Sequence, residues 1–138
     1  MGDERDLVRL RTNFRGEDVY LYHIAISPES ARQLFKVYLD RLNQLADEPE
    51  FYHLLSNSCT VNIVRYSYAI AGIRRPFDIR QYLNGLVDAY LYRAAKLSTL
   101  LPFEELRRRS LINEAAQAAD GAEDFSERIR ESLPPARR

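Results

Sequence analysis

The 138-residue sequence predicts a globular α+β domain in which helices predominate. Residues 19–26 are rich in β-branched and aromatic side chains, and from residue 31 onward apolar residues recur at helical spacing. Hydrophobic residues make up 46% of the chain, which excludes wholesale disorder and is enough for a core. We expect two strands and four to five helices in one domain of residues 1–119, followed by a charged, disordered tail of residues 120–138.

The two predicted strands form a short antiparallel hairpin within residues 7–26. Residues 7–12 mix leucine and valine with polar side chains and predict the first strand. Gly16 follows in a polar stretch, where it can take the positive φ of a turn. Residues 19–26 (VYLYHIAI) are the strongest predicted strand. Since two strands alone are marginally stable in water, we expect a helix or further sheet to cover one face.

Capping residues and apolar periodicity predict the helices, which together span residues 28–119. The sequence Ser-Pro-Glu at residues 27–29 supplies a hydroxyl cap, a proline at the first helical position and an acid in the first turn. A second helix begins at Cys59, after a cap at Asn57 or Ser58, and Gly72 ends it.

Two further helical segments follow. Asp78 is the cap of the first, and Gly85 predicts either a break within it or a close packing contact, because glycine costs about 1 kcal/mol relative to alanine inside a helix. Residues 102–105 (PFEE) open the last helix, which we expect to run to about Ala119.

Charge and composition exclude several classes of function. Lysine plus arginine and aspartate plus glutamate both number 20, so the formal net charge is zero and no nucleic-acid partner is expected. A single cysteine excludes an internal disulfide and a cysteine-based zinc site, and the sequence has neither an HExxH motif nor a glycine-rich phosphate loop. We therefore expect no metal and no cofactor. Residues 1–6 are polar, so we expect no signal peptide in this chain.

Cys59 is the strongest candidate for chemistry. In the first turn of a helix, unpaired amide groups and the positive end of the helix dipole favour a thiolate. Paired with a histidine, such a thiolate is the nucleophile of papain-like acyl transfer. The two histidines are His23, in the predicted strand, and His53, six residues before Cys59. The alternative is that Cys59 is a small buried apolar residue and that neither histidine is catalytic, and the residues alone leave both interpretations open.

Residues 51–60 (FYHLLSNSCT) carry a resemblance to a known family. They resemble the P-x-F-Y-x-x-L-x-x-N-x-C-T element of the Lnb N-terminal periplasmic domain family. Further stretches resemble other elements of that family in the same order: residues 3–6, 10–12, 19–22, 76–86 and 110–113. The resemblance covers residues 3–115.

The resemblance implies a fold and a chemistry. The family's fold resembles a permuted papain-like, NlpC-type cysteine peptidase, and this chain would be its mostly helical C-terminal portion. Cys59 matches the family's nucleophile, and Asn57 and Thr60 match the polar positions that shape the helix cap and the oxyanion surroundings. The family is associated with the bacterial envelope, and one branch acylates lipoproteins from phospholipid through a thioester. The resemblance therefore implies a periplasmic or envelope location and a lipid or lipoprotein substrate.

The sequence departs from the family at its histidine, which lies upstream of the element that matches residues 3–6. Neither His23 nor His53 matches that position. We therefore expect a fragment of a thiol-dependent acyltransferase- or hydrolase-like domain that is inactive alone. Its expected partner is the missing N-terminal half, or a second copy through an open sheet edge. The alternatives are a non-catalytic interaction or structural module of the envelope, and a lipid- or peptidoglycan-binding surface of arginine and tyrosine side chains.

Overall fold

The computed structural model describes residues 3–53, 58–74 and 78–135. The α-helices of this part of the chain are α1 (Glu4–Arg9), α2 (Pro28–Asp47), α3 (Cys59–Ile70), α4 (Val87–Arg93), α5 (Phe103–Arg109), α6 (Asn113–Ala118) and α7 (Phe125–Arg128). A π-helical turn, Leu10–Phe14, continues α1, and two 3₁₀ turns, Ile79–Gln81 and Asn84–Leu86, precede α4. No strand is present among the described residues, where Tyr20 and Leu111 form an isolated antiparallel bridge.

The predicted α+β class, with a hairpin in residues 7–26, is therefore wrong. The first predicted strand is helix α1 and its π-helical continuation. Asp3 caps this helix, because its Oδ1 accepts a hydrogen bond from the Arg5 amide at 2.8 Å. The buried Thr12 lies four positions after Val8, and its hydroxyl donates to the Val8 carbonyl at 3.0 Å. Capping and apolar spacing thus favour a helix over a strand here.

The second predicted strand, residues 19–26, lacks a partner long enough to make a sheet. Leu21 donates its amide proton to the Ser110 carbonyl at 2.8 Å, and the Ile112 amide donates to the Val19 carbonyl at 3.0 Å. The partner is the short link between α5 and α6, and one bridge is all that it supports. The segment therefore runs without turn or bend but does not form a regular strand.

The chain divides into two compact units. One unit is Met1–Ala25 with Leu97–Arg138, and the other is Ile26–Lys96. The core cluster of the first unit consists of Ile112, Ala116, Ala119, Phe125 and Ile129.

Asn113 holds residues 17–19 against the start of α6. Its Oδ1 accepts from the Val19 amide and its Nδ2 donates to the Glu17 carbonyl, both at 2.9 Å. One side chain thereby satisfies a donor and an acceptor of the extended backbone.

Residues 120–135, which composition placed in a disordered tail, contain α7 and part of this core. Phe125 and Ile129 are completely buried, and Leu133 packs against them. The spacing of four between these apolar residues is the helical signal within an otherwise charged sequence. The Arg130 guanidinium binds the Glu4 carboxylate through two hydrogen bonds of 2.6 and 2.9 Å, which ties this segment to α1. The last expected tail residues, 136–138, lie outside the described residues.

The second unit confirms two predicted helix starts. Ser27 caps α2, with its hydroxyl oxygen accepting from the Ser30 amide at 3.1 Å. Ser58 caps α3, and Gly72 follows the end of that helix with a φ of +66°. Local sequence decides these boundaries because the cap satisfies amide groups that the helix itself leaves unpaired.

The later helices are shorter than predicted. Asp78 is a cap, but of the 3₁₀ turn Ile79–Gln81. The break expected at Gly85 is present as the second 3₁₀ turn, and a Cβ at Gly85 would meet nothing within 4 Å, so no close packing contact explains this glycine. The last predicted helix is two helices, α5 and α6, separated where Leu111 bridges to Tyr20.

Candidate functional site

The candidate site lies at the start of α3, in the second unit. Cys59 is the first helical residue, and its side chain is exposed. The predicted position in the first turn is therefore confirmed. The alternative interpretation, a small buried apolar residue, does not fit an exposed thiol. The burial of this helix begins two residues later, at Val61 and Val64.

Some amides at the start of α3 are hydrogen-bonded to the capping residue, and others are not hydrogen-bonded within the described residues. Ser58 is buried, and its hydroxyl oxygen accepts from the Val61 amide at 3.3 Å while its carbonyl accepts from the Asn62 amide at 3.0 Å. The Cys59 amide makes no hydrogen bond with any other described residue. An N–H beside a nucleophilic sulfur is the arrangement that can stabilise the oxyanion of an acyl-transfer intermediate.

Thr60 lies next to the thiol. The Cys59 Sγ and Thr60 Oγ1 are 3.9 Å apart, within the range of a weak hydrogen bond to sulfur, and either atom can donate. Within the described residues this is the hydrogen bond that the thiol makes. Two of the three residues singled out from the sequence, Cys59 and Thr60, are thus adjacent in the site, and Asn57 lies outside the described residues.

Two tyrosines, one on α2 and one on α3, form an aromatic pair. The Tyr38 and Tyr66 rings meet edge to face, with centroids 5.6 Å apart and an angle of 88° between planes. Tyr66 lies seven residues after Cys59, two helical turns along the same face of α3. The Tyr38 hydroxyl is buried and makes no hydrogen bond with the described residues.

Burial, together with the smaller electrostatic effects of the nearby Tyr66 and Cys59, raises the pKa of Tyr38 to about 12, because a phenolate here would be poorly solvated and would face negative charge. The Tyr38 hydroxyl therefore stays protonated at neutral pH. It is a hydrogen-bond donor close enough to Cys59 for the two groups to interact electrostatically. The sequence showed Tyr38 only as one apolar position of the α2 stripe, and no sequence signal indicated an interaction between Tyr38 and Cys59.

Two arginines donate hydrogen bonds to Tyr66 of this aromatic pair. Arg41, one turn after Tyr38 on α2, forms an ion pair with Glu50, and its guanidinium also bonds to Tyr66. The hydrogen bond that Arg41 donates to the Glu50 carboxylate raises the pKa of Arg41 above its ordinary value. Arg65 also donates to the Tyr66 hydroxyl at 3.3 Å. These contacts fix the orientation of the ring that packs on Tyr38.

Neither histidine forms a hydrogen-bonded pair with the thiol in the described structure. His53 is exposed and belongs to the same unit as Cys59, whereas His23 is exposed and belongs to the other unit. No group of three or more metal-ligating side chains occurs among the residues that the structure describes. In the same part of the chain no helix has the length and apolar character needed to cross a bilayer.

Fold and site together define a helical protein that presents an exposed thiol at a helix start, which interacts electrostatically with a protonated tyrosine. The family model of the Lnb N-terminal periplasmic domain matches residues 1–85, which is more than half of the chain. The chain belongs to this family, and the resemblance drawn from its motifs is confirmed. No curated protein and no solved structure shows a significant match to it.

Proposed function

We propose that this protein is the thiol-bearing part of a periplasmic acyltransferase- or hydrolase-like domain, with Cys59 as its nucleophile. The observation that carries the proposal is the placement of Cys59, which is exposed, is the first residue of α3, and has an amide that makes no hydrogen bond with the other residues that the structure describes. Membership in the Lnb N-terminal periplasmic domain family supports a location in the bacterial envelope. A lipid or lipoprotein substrate is the finer part of the proposal.

The chemistry follows from these groups. The Cys59 thiolate attacks the carbonyl carbon of an ester, and a carbon–sulfur bond forms while the carbonyl oxygen becomes an oxyanion. The Cys59 amide is in position to donate to that oxyanion. When the intermediate collapses, the carbon–oxygen bond to the alcohol breaks, the alcohol takes up a proton, and a thioester remains on Cys59. Water or an amine then displaces the sulfur.

The proton transfers determine how fast this protein can transfer an acyl group. Attack needs a base to take the thiol proton, and departure of an ordinary alcohol needs an acid, which together are worth typically 10²–10⁴-fold. Thr60, whose hydroxyl is 3.9 Å from the thiol sulfur, and Tyr38, which interacts electrostatically with Cys59, are both poor bases. We therefore propose that the chain alone forms a thioester with activated esters but turns over negligibly with natural ones.

The test is acylation by p-nitrophenyl acetate, whose leaving group departs without protonation. We expect a burst of one p-nitrophenolate per chain with little steady-state release, and an acetyl group on Cys59 by peptide mass spectrometry. Hydroxylamine should remove that group, as expected for a thioester. C59S is the variant that should lose the burst, and it replaces an exposed side chain, so its fold should be unchanged.

A matched control uses Ser67, on the same helix. Ser67→Ala removes a hydroxyl that donates to the Ile63 carbonyl, two turns from the thiol, and should leave the burst intact. Acetylation spread over other residues, or a burst that survives in C59S, would refute Cys59 as the nucleophile. Steady turnover of natural phospholipid by the chain alone would refute the proposal that it turns over negligibly with natural esters.

A further inference from the structure

Helix α2 has two apolar stripes that differ in how far they are exposed. One is half buried and includes Leu34, Tyr38 and Leu45, of which Tyr38 packs on Tyr66 of α3. The other lies one residue further along the sequence and is exposed along its whole length. We call it the outer stripe, and it consists of Ala31, Phe35, Leu39, Leu42 and Ala46. One face of α2 therefore packs within its own unit, whereas the outer stripe faces solvent.

The outer stripe forms a continuous apolar line along the helix. Its members are three or four positions apart, which is the spacing of one helical face, and they span about 22 Å of the helix axis. Phe35 leaves 57% of its surface exposed, and Leu39 and Leu42 leave 40% each. A surface helix ordinarily has polar residues on the face that points away from its core. A continuous exposed apolar face therefore indicates a surface for association with another molecule.

A row of charged residues follows the outer stripe along one side. The row consists of Arg32, Lys36, Asp40 and Asp47, each of which comes directly after a residue of the stripe. All four residues are exposed, with the two cations in the first half of the helix and the two anions in the second. Arg32 forms an exposed ion pair with Glu29, whereas the other three form no ion pair within the described part of the chain. Such a row is complementary to a copy of itself that runs in the opposite direction.

We propose that two copies of this chain associate by antiparallel packing of their α2 helices along the outer stripe. The middle of the stripe lies next to Leu39, so the two Leu39 side chains meet at the two-fold axis. Phe35 then lies opposite Leu42 of the second copy, and Ala31 lies opposite Ala46 of the second copy. The stripe is thus complementary to itself, which a two-fold interface requires.

Charge selects a second copy as the occupant and sets its direction. In the antiparallel arrangement, Arg32 and Lys36 face the half of the second helix that carries Asp40 and Asp47. A parallel arrangement would place each of these residues beside its own copy, where like charges repel. Exposed ion pairs contribute little to stability, so the apolar stripe supplies the attraction and the charges determine the orientation.

The dimer is weak, because one helical face per copy buries less than the roughly 1,600 Å² of a standard stable interface. Its population therefore depends on protein concentration. The inference is independent of the thiol chemistry, and every test below uses a C59S background. That background removes the exposed thiol, through which two oxidised chains would also be linked.

Sedimentation over a wide concentration range tests the association. The mass should rise from that of a monomer toward that of a dimer. Leu39→Lys should abolish the rise, because it places two cations against each other at the two-fold axis. Since Leu39 is already exposed, circular dichroism of the variant should match that of the parent. Ile79→Lys changes an exposed isoleucine in the 3₁₀ turn before α4 and should leave the dimer intact.

Exchange of two charges tests the complementarity. Lys36→Glu should weaken the dimer about tenfold, because it places an acid near Asp40 of the second copy at two symmetric contacts. Asp40→Lys should weaken it by a similar factor. The double variant, K36E with D40K, restores opposite charges across the interface and should recover most of the association. A double variant as weak as either single one overturns the charge pairing.

Disulfide crosslinking tests the direction. A mixture of Ala31→Cys and Ala46→Cys chains should crosslink under mild oxidation. Ala31→Cys alone should crosslink at least tenfold less, because the two copies of residue 31 lie about 22 Å apart along the helix pair, beyond disulfide range. Equal crosslinking by Ala31→Cys alone would indicate a parallel pair and overturn the proposal.

Two sedimentation results also overturn the proposal. One is a chain that stays monomeric at every concentration. If such a chain binds phospholipid vesicles and Leu39→Lys does not, the outer stripe is a membrane-binding face instead. The other is association that survives in Leu39→Lys, which would assign the interface to a different surface.

Discussion

At the start of α3, one hydroxyl and one thiol have separate roles. Ser58 is buried and its hydroxyl satisfies the Val61 amide of the first turn, so it holds the helix end in place. Cys59 is exposed and is not needed for the cap. The residue that stabilises the site is therefore not the residue that reacts, and a variant at Cys59 probes chemistry without removing the cap.

Asp78 provides a test of electrostatics at the level of one residue. Its Oδ1 accepts from the Arg80 side chain at 2.8 Å and from the Arg80 amide at 3.0 Å. The side-chain hydrogen bond from Arg80 holds the pKa of Asp78 at about 2, below its ordinary 3.8. A lowered carboxyl pKa stabilises the folded state above the ordinary value, and this contribution is lost as the pH falls from about 4 toward 2.

Titration of the Asp78 carboxyl by NMR should show a midpoint near 2. In Arg80→Gln the midpoint should rise toward 3.8, because the charged donor is gone. Asp78→Asn keeps an acceptor for the Arg80 amide, so its unfolding midpoint in urea should vary less with pH below 4 than that of the parent. A midpoint near 3.8 in the parent protein would contradict the ion pair.

At the scale of elements, α7 is the shortest helix described and yet contributes the largest fully buried side chain, Phe125. We expect Phe125→Ala to lower the free energy of unfolding by about 3–5 kcal/mol, since it removes a ring from a packed cluster. Glu127→Ala, two residues away on the exposed side, should change it by less than about 0.5 kcal/mol. Urea unfolding measures both. Equal effects would show that α7 does not belong to the core.

The two units differ in how far their helices are buried. No residue of the 20-residue α2 is buried, and Phe35, Leu39 and Leu42 form an exposed apolar stripe along it. Around α6, by contrast, Ile112 and Ala116 are almost completely buried. Local opening is easiest where few apolar contacts oppose it.

Native-state hydrogen exchange should therefore show faster exchange for the α2 amides than for those of Ile112–Ala119. The expected difference is at least tenfold in rate once intrinsic rates are removed. Site-resolved NMR measures it, with the amides of α3 as an internal comparison from the same unit as α2. Equal protection in α2 and α6 would contradict unequal stability of the two units.

Much of the local structure was predictable. Ser27 and Ser58 caps, the helix that starts at Cys59, and the break at Gly85 all follow from short-range rules, because capping and glycine entropy act within a few residues. The hairpin was wrong because the mixture of apolar and polar side chains in residues 7–12 fits a helix as well as a strand, and the Asp3 cap favours the helix. The apolar spacing of Phe125, Ile129 and Leu133 was obscured by the charged residues between them.

The sequence by itself determined the family, the helix starts and the place of the thiol in the first turn of α3, since each depends on neighbours along the chain. Only the tertiary structure decided which residues surround that thiol and which segments form the core. Tyr38 lies 21 residues before Cys59, and the first core joins residues near position 8 to residues beyond 112. Such long-range contacts depend on which apolar surfaces pack together when the chain folds. Short-range sequence patterns do not indicate which surfaces these are.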